Sequence, residues 1–291
     1  MKKRIVRFIL IGVLAAAVIV VLTIFLNRSQ SYQKAIAFES AGDRQSAYGL
    51  YRKLGTYQDS SARLDALVSA DPVLPMRSAQ KGDPVTFGRY EQDNDPENGP
   101  EPIQWLVLDR IENRLLLLSL HGLDGRPYHS VPFAEITWED CELRGWLNEE
   151  FLKTAFSESE QAFIPTVLNQ NRDQSAVGTQ GGADTLDRVF LLSETEVSIY
   201  INNEMNRESI GKAFPTDYAA AHHVEIKEEG TVFWWLRSPG VYPYSAQFVD
   251  QNGELHLSGA YVDIDYQFAV RPAIWVELSK IEQEPTDTIT S

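Results

Sequence analysis

The stretch Arg114-Leu115-Leu116-Leu117-Leu118-Ser119 decides the fold class of the larger part of this chain. Four consecutive apolar residues between two polar ones are typical of a strand that is covered on both faces. Other short strand-like runs lie before it, at 85–88 and 103–108, and again near the C-terminus, at 232–236, 246–249, 254–257 and 268–278. Asn252-Gly253 lies between two of the later runs and predicts a hairpin turn.

Helical periodicity occupies the middle of this region. Residues 140–156 predict a helix, because Leu143, Trp146 and Leu147 recur on one face at three- and four-residue spacing. Ser193 with Glu196 is a capping-box pattern that opens a further helix. Helices in the middle and strands at both ends predict an α+β domain over 81–279, whose first and last strands can pair.

The N-terminal segment predicts a location. Residues 8–26 are an apolar run of 19 residues that follows the basic residues of a stub over 1–7. At about 1.5 Å per helical residue, the run comes close to the roughly 30 Å of a bilayer's hydrocarbon core. We therefore expect a transmembrane helix over 8–26 in a single-pass cell-membrane protein, with the N-terminus cytoplasmic and the C-terminal domain extracellular. A cleaved signal peptide is the alternative, although its apolar region is usually shorter.

A short helical segment follows the apolar run. Gly42 and Gly55 stop helices there, and Asp43 and Asp59 are placed to cap the helices that follow. The segment 30–70 resembles a tetratricopeptide-like hairpin, which cannot bury its own face alone. We expect it to serve as a stalk, with a docking site as the alternative. Prolines mark a linker over 71–80. The polar tail over 280–291 is predicted to be disordered.

The charge of the chain and its cysteine content limit the partners and the chemistry that we expect. The chain has 26 basic and 41 acidic residues, a net charge of −15. Since five basic and no acidic residues lie in the first 30, the remainder has 21 basic and 41 acidic residues, a net charge of −20. Nucleic acid is therefore not an expected partner. The single cysteine, Cys141, forms no intramolecular disulfide, and its acidic neighbours predict a packed, unreactive thiol.

Six segments of the second domain carry a resemblance to a known family. They are Gly82-Asp83-Pro84-Val85-Thr86-Phe87-Gly88, Glu101-Pro102-Ile103-Gln104-Trp105-Leu106-Val107-Leu108, Thr137-Trp138-Glu139-Asp140-Cys141-Glu142-Leu143-Arg144-Gly145-Trp146-Leu147-Asn148, Phe190-Leu191-Leu192-Ser193, Trp234-Trp235-Leu236-Arg237-Ser238-Pro239-Gly240 and Val270-Arg271-Pro272-Ala273-Ile274-Trp275. Over residues 81–278, this order resembles an uncharacterised domain of unknown function that is common in surface proteins of Gram-positive bacteria.

The last two of these segments are also similar to the ending of C-type-lectin-like domains of the formylglycine-generating-enzyme type. That similarity implies a looped α+β fold, C-type-lectin-like, with variable loops on one face. Formylglycine-generating enzymes use active-site cysteines, and the one acid-flanked Cys141 does not match that pattern. The resemblance supplies no catalytic residues.

Tyrosine-rich loops are the candidate binding surface. Tyrosine gives large contact area at low entropic cost, so we expect loop tyrosines to face a ligand. The predicted ligand-facing rim comprises Trp138, Trp235, Arg237, Tyr242, Tyr244, Tyr261 and Tyr266. The expected partner is a glycan, a peptide or another protein. The alternatives are an enzyme of the cell envelope on the same fold and a purely structural interaction protein.

Metal and cofactor chemistry has little support in the sequence. There is no His-Glu-x-x-His and no Cys-x-x-Cys pattern, so no zinc site is predicted. Asp93, Asp95 and Glu97 place carboxylates at alternate positions, which makes them weak calcium candidates. The glycine of that loop falls one residue late for an EF-hand and the closing glutamate is missing, so a solvated acidic loop is the expected arrangement. No other cofactor is expected.

Overall fold

The computed structural model describes residues 2–201, 203–263 and 268–279, with side chains described from residue 20 onward. The predicted tail over 280–291 lies outside the described residues. The chain divides into two compact units, Met1–Pro75 and Met76–Ser291, which are described separately below.

The N-terminal unit contains three helices, α1 (Lys2–Ser40), α2 (Arg44–Leu54) and α3 (Ser60–Ala70). The predicted helix ends at Gly42 and Gly55 are confirmed, since both glycines adopt positive φ between helices. Asp43 caps α2 by accepting from the Ser46 amide at 3.0 Å. A core forms between the three helices from residues at helical spacing, which are Tyr32, Ala35, Ala47, Tyr51, Leu54, Leu67 and Leu74.

A polar network joins these helices at the edge of that core. The Tyr51 hydroxyl donates to Glu39 at 2.6 Å, and Arg63 donates to Glu39 and to Asp59 at 3.0 Å each. The Tyr32 hydroxyl also donates to Asp59. Asp59 makes no side-chain cap for α3. The predicted cap at Asp59 is therefore wrong, because its carboxylate is used between helices instead.

The prediction of a membrane-spanning helix over 8–26 is contradicted. Within the described residues, none of the helices is both long enough and apolar enough to cross a bilayer. The backbone of 8–26 belongs to α1, but α1 runs on without a break through the polar Asn27-Arg28-Ser29-Gln30 to Ser40. The predicted single-pass topology and the cell-membrane location depend on that helix, so they are contradicted as well.

The second unit is a mixed α+β domain, which confirms the predicted class. Its strands are β1 (Pro84–Tyr90), β2 (Glu101–Ile111), β3 (Arg114–Ser119), β4 (Asp124–Gly125), β5 (Val167–Asn169), β6 (Thr185–Asp187), β7 (Val189–Phe190), β8 (Phe233–Pro239), β9 (Ser245–Val249), β10 (Leu255–Tyr261), β11 (Phe268–Val270) and β12 (Ala273–Glu277). Its helices are α4 (Glu142–Trp146), α5 (Leu152–Ala155), α6 (Glu158–Gln161), α7 (Glu194–Tyr200), α8 (Glu204–Asn206) and α9 (Asp217–Ala221).

The chain also contains single turns of π-helix and of 3-10 helix. A π-helical turn (Leu147–Phe151) joins α4 to α5, and a second one (Arg207–Gly211) follows α8. Short 3-10 turns lie at Leu74–Met76 and Glu228–Gly230.

The first five-stranded sheet has the order β1-β2-β3-β12-β7 and is antiparallel throughout. The apolar stretch 115–118 is its central strand and is buried, as the sequence predicted. The last strand of the domain pairs with β3, where Trp275 lies opposite Leu116, and β1 pairs with β2 instead. The first and last strands therefore share a sheet without being neighbours.

The second five-stranded sheet has the order β10-β9-β8-β11-β4, and β5 and β6 form a separate pair. Trp234 and Trp235 of β8 are both fully buried. Their indole N–H groups donate to the carbonyls of Gly211 at 2.8 Å and Arg126 at 3.0 Å. Because β8 lies between β9 and β11 and is covered on both faces, alternation along the strand does not expose either ring.

Candidate functional site

Three of the tyrosines predicted to face a ligand lie together on the surface. The rings of Tyr242 and Tyr244 stack with 5.3 Å between centroids and 6° between planes. Tyr244 also contacts Tyr261, with 5.8 Å between centroids. Phe133 packs against both Tyr244 and Tyr261, at 5.7 and 5.5 Å. We call these four residues the aromatic cluster.

The cluster is formed by a tight turn between β8 and β9. The amide of Ser245 donates to the Tyr242 carbonyl at 3.0 Å, which closes a β-turn with Pro243 in its second position. The Ser245 hydroxyl donates to that same carbonyl at 2.9 Å and accepts from the Tyr242 amide at 3.1 Å. The turn therefore holds the two tyrosine side chains side by side.

Phe133 has an unusual backbone conformation for its position. Its φ is +53°, in the left-handed region that bulky residues rarely adopt, and its side chain is 63 % exposed. Because the ring is mostly exposed, little free energy of burial is available to offset the cost of the strained backbone. Such strain is concentrated at functional sites, which makes Phe133 a candidate binding residue.

Hydrogen bonds to backbone carbonyls bring four segments together around the cluster. The Ile136 amide donates to the Pro243 carbonyl at 3.0 Å, and the Val262 amide donates to the Tyr244 carbonyl at 3.2 Å. The Thr179 hydroxyl donates to the Val241 carbonyl at 2.9 Å. These segments enclose a groove of about 570 Å³ beside the rings. It is lined by Glu135, Ile136, Thr137, Val177, Gly178, Thr179, Gln180, Val241 and Pro243.

Glu142 anchors the loop that carries Phe133. Its carboxylate accepts from the Ser130 amide at 2.7 Å and from the Ser130 hydroxyl at 2.9 Å. Both bonds favour the ionised carboxylate, so they lower the pKa of Glu142, and His129 nearby lowers it further. The geometry of the loop is therefore coupled to the charge of Glu142.

The remaining predicted rim residues lie elsewhere. Trp138 is buried and donates from its indole N–H to Asp187 at 3.0 Å, and Trp235 is in the core, so neither belongs to an exposed rim. Arg237 is 5 % exposed and lines a different cavity of about 420 Å³. Tyr266 lies outside the described residues. Large aromatic residues on the central strand and on the segment before α4 serve packing rather than contact with a ligand.

Cys141 is a poor nucleophile in this structure. The thiol is buried, and burial raises its pKa to about 12. Its sulfur accepts from the Arg144 amide at 3.4 Å and caps α4. The thiolate that nucleophilic chemistry requires is therefore scarce at neutral pH.

The histidines also lie away from the cavities. Neither the groove nor the cavity at Arg237 is lined by any of the five histidines, which are His121, His129, His222, His223 and His256. The geometry of these two cavities provides large contact surfaces and polar groups for binding. It provides no histidine beside a nucleophile.

The calcium candidates are engaged in turn structure. The Asp93 carboxylate accepts from the Asp95 amide at 3.0 Å and from Asn98 at 2.8 Å, and Asp95 accepts from the Glu97 amide at 3.2 Å. Among described residues, the acidic side chains close enough to share an ion are Glu91, Asp93 and Glu101, a different set from the one predicted. Exposed acidic groups of this kind are common without a metal, and the described structure indicates no cofactor.

Residues 112–278, more than half of the chain, match the family described as Domain of unknown function (DUF6273). The chain belongs to this family. The predicted membership of a family of unknown function is thereby confirmed, whereas the match carries no information about lectin-like domains or bacterial surfaces. No curated protein matches the chain, and no solved structure does. The aromatic cluster and both cavities lie inside the matched region.

Two aromatic residues of these sites were not predicted from the sequence, Phe133 of the aromatic cluster and Trp275 of the cavity at Arg237. Phe133 follows Val131-Pro132, and an apolar pair around a proline in a loop was the available signal. Trp275 lines the cavity at Arg237, but in the sequence it looks like one more apolar residue of a terminal strand. Their positions depend on which loops and strands meet, which spacing along the chain does not encode.

Proposed function

We propose that this protein is a non-catalytic binding module that recognises a segment of polypeptide at the aromatic cluster and its groove. The observation that carries the proposal is the position of Phe133 and three tyrosines on converging loops beside an open groove. Rigid aromatic side chains of this kind dominate the energetics of protein recognition.

The chemistry of the surface favours polypeptide over other ligands. Val131 and Val177, beside the cluster, are both more than half exposed, and Ile136, Val241 and Pro243 provide apolar walls. Exposed apolar patches of this kind are typical of protein interaction sites. Among the described residues that line the groove, Glu135 is the only charged one, so an apolar segment with a basic residue is the best complement.

The resemblance to C-type-lectin-like domains supports the same proposal, because it implies variable loops on one face of the fold. A glycan is the second ligand class that this resemblance suggests. Aromatic faces can stack on sugar rings, but the valine and proline side chains around the cluster offer no hydrogen bonds to sugar hydroxyls.

Arrayed peptides and arrayed glycans, both probed with the full-length chain, test the proposal. We expect basic, apolar peptides to bind, and the Tyr242→Ala/Tyr244→Ala double variant to lose that binding. If only glycans bound, and the double variant lost that binding, the proposed surface would be supported but the proposed ligand class would be wrong. Binding that the double variant retains would overturn the proposal.

A further inference from the structure

The cavity at Arg237 is separate from the groove at the aromatic cluster, and no residue lines both. It lies between the loop after β5, the start of α7, the end of β8 and the side chain of Trp275 on β12. Its volume of about 420 Å³ is in the range of small-molecule sites. The cavity thus has room for a ligand of the size of one sugar ring.

Two carboxylates in the cavity wall are each held in place by hydrogen bonds that one of their two oxygens accepts. Oε2 of Glu196 accepts from the Ser193 amide at 2.7 Å, the Ser193 hydroxyl at 2.9 Å and Arg237 Nη1 at 2.5 Å. Oε2 of Glu194 accepts from the buried Gln247 at 2.7 Å. Within the described residues, the Oε1 atom of each glutamate has no donor. The cavity therefore presents two preorganised acceptors.

Arg237 and Ser238 line the same cavity. The Arg237 side chain is only 4 % exposed, and Nη1 donates to Leu191 and Glu196. Its buried Nε has no hydrogen-bond partner in the described part of the chain. The Ser238 hydroxyl, which accepts from the Glu194 amide at 2.9 Å, keeps its own proton to donate.

The charges of the wall nearly cancel. Arg172 and Arg237 face Asp173, Glu194 and Glu196, and the Arg237 charge is already matched by Glu196. A simple anion is disfavoured by the remaining carboxylates, and a simple cation is disfavoured by the positive charges of Arg172 and Arg237. Hydroxyl groups both donate and accept, so a neutral ligand with several hydroxyls satisfies both sets.

Trp275 provides an aromatic wall. It is partly exposed, and the Arg114 guanidinium lies 5.1 Å from the ring centroid. The combination of an aromatic surface, rigid carboxylates and a buried guanidinium suits a ligand with an apolar C–H face and hydroxyls around its edge. We propose that this cavity binds a single neutral sugar unit, at a site distinct from the polypeptide site proposed above.

Calorimetric titration of the full-length chain with methyl β-glucoside, methyl β-galactoside and methyl N-acetyl-β-glucosaminide tests this site, with lysine and acetate as charged comparators. We expect at least one glycoside to bind, and Glu194→Gln to weaken it roughly tenfold by removing a charge-assisted hydrogen bond. The matched control, Glu204→Gln on an exposed residue of α8, should leave binding unchanged.

A second variant guards against a folding defect. Trp275→Phe keeps an aromatic side chain in β12, so it should preserve the melting temperature while weakening the glycoside. The Tyr242→Ala/Tyr244→Ala variant should bind the glycoside normally, which separates this site from the polypeptide site. The proposal would be overturned if the chain preferred lysine or acetate, or if no glycoside bound up to about 50 mM. It would also be overturned if glycoside binding were unchanged in both Glu194→Gln and Trp275→Phe.

Discussion

The ring of Phe133 contacts the ring of Tyr261, with 5.5 Å between their centroids, although Phe133 lies on a loop near the start of the family domain and Tyr261 ends β10 near its end. Tyr244, on a third segment, contacts both rings. Three segments that lie far apart in the sequence thus build one surface.

Removing the stacked tyrosines should separate binding from folding. Tyr242 is 52 % exposed, so the Tyr242→Ala/Tyr244→Ala variant loses contact area for a ligand but little core packing. We expect peptide binding to fall by at least tenfold, while the melting temperature measured by circular dichroism stays nearly unchanged. A matching loss of stability would show that the two rings are structural.

Replacing Phe133 by glycine should relieve backbone strain and abolish recognition. The left-handed conformation costs a bulky residue roughly 1–2 kcal/mol, and glycine adopts it freely. We expect the urea-derived free energy of unfolding of Phe133→Gly to be unchanged or higher by up to about 1 kcal/mol, with peptide binding lost.

Val131→Gly is the matched control for that change. Val131 lies in the same loop, is also exposed and has no positive φ. Its replacement should lower the free energy of unfolding by roughly 0.5–1 kcal/mol, because glycine adds freedom to the unfolded chain. Equal destabilisation by both variants would argue against stored strain at Phe133.

Binding at the aromatic cluster should weaken in acid through Glu142. The pKa of this carboxyl is lower in the folded chain than its ordinary value of 4.5 because of the bonds from Ser130. Its contribution to stability is therefore fully present above pH 4.5 and is lost as the pH falls through the folded-state pKa. Titration of peptide binding from neutral to acidic pH should show the decline. Glu142→Gln should bind more weakly at neutral pH and lose this pH dependence.

Cys141 should resist modification in the folded protein. Its pKa is raised to about 12 by burial, so thiolate is scarce and access is blocked. We expect labelling by a chromogenic disulfide reagent at pH 8 to be at least about a hundredfold slower in buffer than in guanidinium chloride. Rapid labelling of the native chain would reveal a reactive thiol and revive an enzymatic interpretation.

Arg237 and Glu196 form an ion pair, and replacing Arg237 should lower the free energy of unfolding more than replacing Glu196. Arg237→Met leaves the Glu196 carboxylate without its cation and the Leu191 carbonyl without its donor, so we expect about 3 kcal/mol of destabilisation. Glu196→Gln should cost less, because its amide oxygen can still accept from Ser193. Urea unfolding of both single variants and the double variant gives the coupling energy, and equal costs would contradict this asymmetry.

Much of the local structure followed from the sequence. The buried strand 115–118, the Ser193 capping box, the helix ends at Gly42 and Gly55 and the turn at Asn252-Gly253 all appear as expected. Each depends on side-chain period, capping or backbone freedom within a few residues, and those preferences are written in adjacent positions. The apolar run at the N-terminus shows the limit of this reasoning. Its length predicted a membrane helix, but none of the helices in the described part of the chain is both long and apolar enough to cross a bilayer.

The sequence by itself determined the α+β class, the tyrosine-rich loops and the family of unknown function. Tertiary structure alone decided that β12 pairs with β3, that Trp235 is buried, and that Phe133 contacts Tyr244 and Tyr261. These relationships depend on which distant segments pair and cover each other. Local periodicity is compatible with many such pairings, and only the packing of the whole domain selects one.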